Sequence, residues 1–199
     1  MLMEVNESKK LFQERTELIE HAKKHALYKN ALKTKGNIVF GRGSDEAKIL
    51  FIGEAPGFSE NETGKPFVGR SGKVLNEWIT ALGLNEKDFA IMNVVPIIPL
   101  SEENKIRPPT EEEINYFLPY TKKIIEKMNP QIIVLLGRSA ASIFDKNLHV
   151  KETKKTVFGK ITAQLYFIYH PAYYLRNGRK GTEDILPLKE ILTEQKEKK

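Results

Sequence analysis

The sequence predicts an α/β protein, a three-layer α/β/α sandwich built on a central, mainly parallel four-stranded sheet. Three observations lead to this prediction. Four short apolar runs have the length and continuity of buried strands. Helical patterns alternate with these runs, which favours a parallel sheet covered on both faces. Three of the runs end in residues that can carry chemistry, and ligands of such folds bind beyond the carboxyl ends of the strands.

The apolar periodicity gives the order of the elements within one expected domain, residues 1–199. A helical segment, about residues 1–33, precedes the sheet, and a charge-rich tail, about residues 190–199, is expected to fray. The four strands are predicted at residues 48–53, 89–95, 131–137 and 164–169, with a minor strand at 157–158. One helix is predicted to begin at Gly72, after a Ser71 cap. A second is predicted from the capping box of Thr110 and Glu113 to about Met128, and a third is predicted to begin at Arg138.

Composition narrows the class of protein. The chain of 199 residues is long enough for one domain with its own core, and its 40% hydrophobic and 29% charged residues are ordinary for a globular protein. It contains no cysteine, which excludes disulfides, thiolate zinc sites and iron–sulfur clusters. The net charge of +6 favours polyanionic partners, although a Lys- and Glu-rich, heat-adapted surface gives a similar composition. No apolar run reaches the length of a membrane span and the N-terminus lacks a signal-peptide core, so we expect an intracellular protein.

A glycine-rich loop follows the first predicted strand. It reads GEAPG from Gly53 to Gly57 and continues to GKPFVGRSG, which ends at Gly72. Such strand-to-helix loops often hold an anion on their backbone N–H groups. The loop lacks both the P-loop signature and GxGxxG, so it does not predict a nucleotide cofactor. The alternative is that its glycines and prolines only shape the chain.

Asn93 ends the second predicted strand. Its amide offers one acceptor and one donor side by side, which can pair with N3–H and O4 of uracil. A flipped amide would fit cytosine instead, so discrimination requires neighbouring groups that fix the rotamer. The alternative is an asparagine that caps a turn.

The fourth predicted strand leads into HPAYYLR, which begins at His170. A histidine in this place can hydrogen-bond a developing anion, or it can be a purely structural residue. Tyr174 and Leu175 are candidates either for packing or for a wedge that enters the base stack of DNA. Arg176 can bind a phosphate or remain solvated.

Together, these motifs resemble the uracil-DNA glycosylase superfamily, and most closely its family 4, the thermostable prokaryotic type. The resemblance depends on five fragments in order: IVFGRGS, GEAPGFSENETGKPFVGRSG, MNVVP, PQIIVLLGRSA and HPAYYLRN. It implies a monofunctional glycosylase that flips uracil out of DNA and hydrolyses its N-glycosidic bond without a metal. The product would be an abasic site for base excision repair.

The resemblance also implies roles for residues of the pocket. The implied base contacts are Gly53, Ala55, Phe67 and Asn93. Among them, Phe67 is implied to be the stacking platform. His170 is implied to stabilise the departing uracil anion. The carboxylate that positions water stays open, because Ala55 stands where the best-known members of the superfamily carry an aspartate. Glu54 is the first candidate, and Glu60 is the second, although Glu60 can instead line the pocket.

Uracil-containing DNA is the implied partner, bound by a monomer in the prokaryotic cytoplasm. A helix N-terminus and arginine side chains would hold the phosphates, while tyrosine and leucine side chains would enter the base stack. The implied DNA contacts are Arg70, Ser71, Gly72, Tyr174, Leu175 and Arg176.

One departure from family 4 concerns its four-cysteine [4Fe–4S] cluster. The cysteine positions would fall near Ala22, His25, Ile97 and Phe117. One histidine among apolar side chains cannot hold such a cluster, so no cofactor is predicted. We expect apolar packing around Ile97, Ile98 and Phe117 to tie the N-terminal helix to the chain after the second strand instead.

Three other functions are compatible with parts of the sequence. The pocket could accept hypoxanthine or xanthine, because Asn93 alone does not exclude a purine. The absence of the cluster, and the presence of Ala55 in place of an aspartate, are compatible with a DNA-binding relative that has no activity. A nucleotide-binding module on a flavodoxin-like fold would explain the sheet, but not the combination of motifs.

Overall fold

A six-stranded sheet forms the centre of the protein, which a computed structural model describes over residues 15–197. The strands are β1 (Gly41–Gly43), β2 (Ile49–Gly53), β3 (Phe89–Asn93), β4 (Ile132–Leu136), β5 (Thr153–Phe158) and β6 (Ile161–Ile168). Their order is β1-β3-β2-β4-β6-β5, in which the four inner strands are parallel and the two edge strands antiparallel. The predicted parallel core of four strands is therefore confirmed, and two antiparallel edges extend it to six.

The inner strands are buried on both faces. Along β2, Leu50 and Ile52 pack into one apolar layer, while Ile49 and Phe51 pack into the other. This alternation follows from the two-residue period of a strand, which sends neighbouring side chains to opposite faces. A continuous apolar run therefore requires helices on both sides of the sheet, which gives the predicted three-layer architecture.

The helices cover these two faces. Their bounds are α1 (residues 15–23), α2 (Ala26–Ala31), α3 (Phe58–Thr63), α4 (Arg70–Ala81), α5 (Glu111–Met128), α6 (Arg138–Ser142), α7 (Pro171–Arg176), α8 (Thr182–Ile185) and α9 (Pro187–Glu197). The predicted capping box begins α5, since Thr110 Oγ1 accepts the Glu113 N–H at 3.2 Å and the Glu113 carboxylate accepts the Thr110 N–H at 2.7 Å. Within the described residues, no helix is long and apolar enough to cross a membrane.

Both ends of the chain differ in part from the prediction. The N-terminal segment is two helices rather than one, because His25 caps α2 after a break, and residues 1–14 lie outside the described part. At the C-terminal end, α9 runs from Pro187 to Glu197, through most of the segment for which fraying was predicted. Leu188 is fully buried and Ile191 packs beside it, so apolar contacts stabilise the helix. Residues 198–199 lie outside the described part.

A histidine–aromatic cluster joins α1 and α2 to α5; its members are His21, His25, Tyr116, Phe117 and Tyr120. The ring of His21 stacks on Tyr116 at a centroid distance of 4.0 Å, and that of His25 lies 5.5 Å from Phe117. The Tyr116 hydroxyl donates a hydrogen bond to the His21 carbonyl at 3.1 Å. These contacts hold the N-terminal helices against the rest of the fold.

The expected apolar packing near the missing cysteines is confirmed. Ala22, Ile97, Ile98 and Phe117 are all fully buried in one apolar layer. The side chains around them offer imidazoles but no thiolate, so they do not fit an iron–sulfur cluster. Across residues 15–197, no group of acidic, histidine or cysteine side chains could hold a metal ion.

The cluster predicts a stability difference between two histidines. We expect His21→Ala to lower the free energy of unfolding by about 1–2 kcal/mol, because it removes the ring contacts with Tyr116 and Tyr120. His149→Ala is the matched control, since His149 is exposed, and its effect should stay within about 0.5 kcal/mol. Urea unfolding of both variants measures the difference, and equal effects would contradict a stabilising role for the cluster.

Candidate active site

The carboxyl ends of β2 and β3 bring three predicted pocket residues together. Gly53 and Asn93 are register partners at the ends of the two strands. A Cβ atom on Gly53 would lie 2.5 Å from Asn93 Oδ1 and 2.5 Å from Phe67 Cζ. These distances are too short for any side chain, so glycine permits the close approach of the amide and the ring.

Asn93 presents an unpaired acceptor at this point. The residue is only 4% exposed, and its Oδ1 has no hydrogen-bond partner among the described residues. A buried acceptor without a donor costs about 1–3 kcal/mol, which is unusual outside a binding site. The amide is therefore suited to a ligand that brings its own N–H.

Phe67 reaches the site through a strained backbone. Its φ is 53°, in the left-handed region that few non-glycine residues adopt. The side chain is buried, and its ring centroid lies 5.7 Å from that of His170 with 34° between the planes. The aromatic ring, the amide of Asn93 and the imidazole thus occupy one edge of the sheet, although they are far apart along the chain.

Glu60 holds the loop that carries Phe67. Its Oε1 accepts the N–H groups of Val68 and Gly69 at 2.9 and 2.8 Å, and its Oε2 accepts that of Gly57 at 3.1 Å. Both carboxylate oxygens are therefore engaged by backbone donors within the loop. This geometry favours a positioning role for Glu60 over water activation.

His170 is held in one tautomer by its own helix. It caps α7, where the Ala172 N–H donates to Nδ1 at 3.2 Å. Because Nδ1 accepts, a neutral ring must carry its proton on Nε2. Burial, together with the positive charge of Arg176, lowers the pKa of His170 to about 4. The site therefore offers a neutral N–H donor at physiological pH.

This environment predicts that His170 stays neutral where an ordinary histidine titrates. The imidazole nitrogen shifts should remain constant from pH 8 to pH 5 in an NMR titration, with the resonance assigned by its absence in His170→Gln. The unfolded chain binds this proton near pH 6.5 and the folded protein only near pH 4, so the free energy of unfolding should fall as the pH decreases through that window. A midpoint near 6.5 in the folded protein would contradict the prediction.

Glu54 lies directly after β2. Its carbonyl accepts the Val95 N–H at 3.0 Å, which fixes the backbone, and its Oε2 accepts the Ser139 hydroxyl at 2.6 Å. The carboxylate is half-buried. Ala55 is also half-buried and packs against the apolar layer that contains Leu50 and Ile52.

The predicted DNA contacts are placed unequally. Arg70, Leu175 and Arg176 are exposed, and Leu175 retains 41% of its surface. Ser71 is half-buried in the first turn of α4, which begins at Arg70 rather than after Ser71. Gly72 is buried in the same turn.

The prediction that Tyr174 contacts DNA is wrong. Tyr174 is fully buried, with its ring 5.3 Å from that of Trp78 in an edge-on arrangement. Its hydroxyl donates to Asp184 Oδ2 at 2.8 Å. The side chain therefore fixes α7 to the core, and Leu175, the next residue, faces outward.

Sequence reasoning missed two residues at the end of β4. Gly137 has a φ of 94°, and a Cβ atom there would lie 3.1 Å from the Cβ of His170. Ser139 follows it and bonds Glu54. The signal was available, because GRS directly follows the third buried run and the carboxyl ends of parallel strands share one edge.

These features define a class of protein, an α/β protein in which an aromatic ring, a buried amide and an imidazole lie together at one edge of a parallel sheet. The family model of the uracil DNA glycosylase superfamily matches residues 40–193. The chain belongs to this superfamily, as the resemblance of its motifs indicated.

Type-4 uracil-DNA glycosylases are among its relatives. The protein of Archaeoglobus fulgidus is 40% identical over 153 residues, which cover 72% of this chain and 74% of the relative. That of Saccharolobus solfataricus is 38% identical over 177 residues, or 81% and 79% of the two chains. That of Thermotoga maritima is 37% identical over 147 residues, or 71% and 73%. The similarity thus extends over most of each chain.

Proposed function

We propose that the protein is a monofunctional uracil-DNA glycosylase that hydrolyses the N-glycosidic bond of a flipped deoxyuridine. The observation that carries the proposal is the unpaired Oδ1 of Asn93 beside the ring of Phe67. Uracil supplies what this site needs, a flat face for stacking and an N3–H for the amide oxygen. The names of the relatives, and the similarity that extends over most of each chain, support the same substrate.

Binding of the base would offset the cost of flipping it. Extrusion of a base from the stack costs a few kcal/mol. Stacking on Phe67 returns about 1–3 kcal/mol. The N3–H of uracil satisfies the Oδ1 of Asn93, and backbone N–H groups near Gly53 and Ala55 hold the rest of the base edge. Cytosine has no N3–H, so it leaves the buried acceptor unpaired as long as the amide keeps this orientation.

The chemistry is a hydrolysis in which the C1′–N1 bond breaks and a C1′–O bond forms. The bonding electrons leave with uracil, and the negative charge is spread onto O2. The Nε2–H of His170 donates to that oxygen without transferring its proton, which is consistent with its lowered pKa. Glu54 orients water toward the positively charged sugar, and the anion takes the proton that water loses. The side chains of the protein account for each of these steps, so we propose that no cofactor takes part.

Glu54 is the proposed water-positioning carboxylate. It accepts only one side-chain hydrogen bond among those described, from Ser139, and this bond uses Oε2. Its Oε1 can therefore face water. Glu60 uses both of its oxygens to close its loop, and we assign it the positioning of Phe67.

The DNA backbone would cross the rim of the site. Arg70 and Arg176 are exposed and suited to phosphates, while the N–H of Ser71 lies in the first turn of α4, a 12-residue helix. Leu175 is the remaining candidate for a wedge. Since such contacts release counterions, binding should weaken as salt rises. We propose that the enzyme acts as a monomer on the genome, in the cytoplasm of a prokaryotic cell.

Release of free base from oligonucleotides tests the function. Single-stranded oligonucleotides carrying uracil, hypoxanthine, xanthine or thymine are incubated with the protein, and the released base is separated by chromatography. We expect uracil to be released and thymine to be retained. Release of hypoxanthine or xanthine without uracil would replace the proposed substrate. Binding of the uracil strand without release of any base would show a relative without activity.

A further inference from the structure

The turn formed by Gly137 after β4 and the first two residues of α6, residues 137–139, lies between the two proposed catalytic side chains. In the sheet, β4 is flanked by β2, which leads to Glu54, and by β6, which leads to His170. The chain that leaves β4 must therefore pass between these two residues. The roles proposed above for the pocket residues do not involve this turn.

Contacts on both sides attach this turn to the segments that carry His170 and Glu54. On one side, the Gly137 N–H donates to the Ile168 carbonyl at 2.9 Å, two residues before His170. The Cα of Gly137 approaches His170 so closely that a Cβ atom would lie 3.1 Å from the His170 Cβ. On the other side, the Ser139 hydroxyl donates to Glu54 Oε2 at 2.6 Å. The bond from a neutral hydroxyl to a carboxylate at this distance is a strong one.

The turn is itself held from outside the site. The guanidinium of Arg138 lies 4.8 Å from the ring centroid of Phe167 and donates to the Leu148 carbonyl at 2.8 Å. Ala140 and Ala141 are fully buried behind it. Ser139 also lines a groove of about 360 Å³ beside α5 and α6. The hydroxyl of Ser139 is thus carried on a fixed backbone.

We propose that Ser139 is a positioning residue of the reaction, which orients the Glu54 carboxylate so that Oε1 holds the attacking water. This inference rests on the proposed function, because it assigns Glu54 to the water. The hydroxyl fixes the rotation of the carboxylate plane through its hydrogen bond to Oε2. An undirected carboxylate would sample orientations that do not support attack, and misplacement of a reacting group by about 1 Å can cost roughly a hundredfold in rate.

Single-turnover release of uracil by Ser139→Ala tests this role. We expect the rate constant to fall about tenfold while the concentration of enzyme that gives half-maximal rate stays unchanged. Ser139→Thr retains the hydroxyl and should restore most of the rate. Ser142→Ala is the matched control, since its hydroxyl bonds the Ser139 carbonyl on the same helix and does not contact Glu54.

A double-mutant comparison shows whether Ser139 acts through Glu54. In the Glu54→Gln background, Ser139→Ala should cause little further loss, because the carboxylate it orients is already gone. Additive losses, or a Ser139→Ala rate equal to that of the wild type, would overturn the proposal. These results differ from a failure of the proposed function, in which the wild-type protein itself releases no uracil. Thermal unfolding of each variant shows whether the fold persists. If Ser139→Ala does not fold, the rate of Ser139→Thr decides instead. A rate near that of Ser142→Ala supports the role, and a tenfold loss overturns it.

Discussion

Replacing His170 by alanine should slow single-turnover release of uracil about a hundredfold or more. The Nε2–H of the neutral ring is the proposed donor to O2 as negative charge develops there. Donors of this kind contribute roughly 2.7–4 kcal/mol to transition states that resemble an oxyanion, which corresponds to about 10²–10³ in rate. The interaction strengthens as the bond breaks, so the loss should appear in the rate constant rather than in DNA binding.

Two further variants make this result specific. Glu54→Gln should also lower the rate at least tenfold, because a neutral amide is a weaker acceptor for the attacking water than the charged carboxylate. His149→Ala, which removes an exposed histidine, should react at the wild-type rate. DNA binding by His170→Ala and Glu54→Gln is measured by fluorescence anisotropy and should be retained. Near-normal rates in both variants would remove the assigned roles from these residues.

The core of the fold was predictable because of the way inner strands are buried. A strand such as β4, Ile132–Leu136, is buried on both faces and therefore reads as an uninterrupted apolar run. The edge strands lack that signal. β1 has the sequence GRG and forms by pairing with β3, while most residues of β5 are exposed and polar. β1 therefore depends on pairing with a distant strand, whereas β5 forms a hairpin with β6, and only its end, residues 157–158, was predicted as a minor strand.

The residues of the candidate site that lie at the ends of strands were predictable from the sequence. Gly53, Asn93 and His170 each follow an apolar run, and the parallel sheet brings these ends to one edge. Contacts made by helix-borne side chains were not predictable. Ser139 meets Glu54 only because α6 folds back over the end of β2, which local sequence does not show.

The sequence also did not predict which side chains of the short helix α7 face the core. Tyr174 and Leu175 are adjacent on α7, so a rotation of about 100° decides which of them is buried. That rotation is set by contacts of Tyr174 with Trp78, which is distant along the chain, and with Asp184, which follows ten residues later. The wedge role is thereby limited to Leu175.

Gly72→Ala should disrupt the site although alanine is the better helix former. In the interior of a helix, glycine is less stable than alanine by about 0.5–1 kcal/mol, and since Gly72 lies in the first turn, propensity alone predicts a gain of at most this size. The new Cβ, however, would lie 1.9 Å from the carbonyl oxygen of Phe67 and 2.2 Å from its carbonyl carbon. Forcing extra atoms into a packed region costs about 1–3 kcal/mol, which exceeds the gain.

The strain should fall on the loop rather than on the helix. Leu75 and Trp78 anchor α4 in the core with no exposed surface, so the helix cannot withdraw. The backbone of Phe67 must move instead, and its φ of 53° leaves few alternatives. Displacement of the ring removes the stacking platform, so we expect uracil release to fall more than tenfold.

Lys73→Ala separates this clash from an effect of alanine in the same turn. Lys73 is exposed and adjacent to Gly72, so its replacement should change the free energy of unfolding by less than about 0.5 kcal/mol. Urea unfolding and single-turnover assays of the two variants give the comparison. If Gly72→Ala were as stable and as active as Lys73→Ala, the close packing of Phe67 on α4 would not be required for the site, and the ring would have to reach the base by another path.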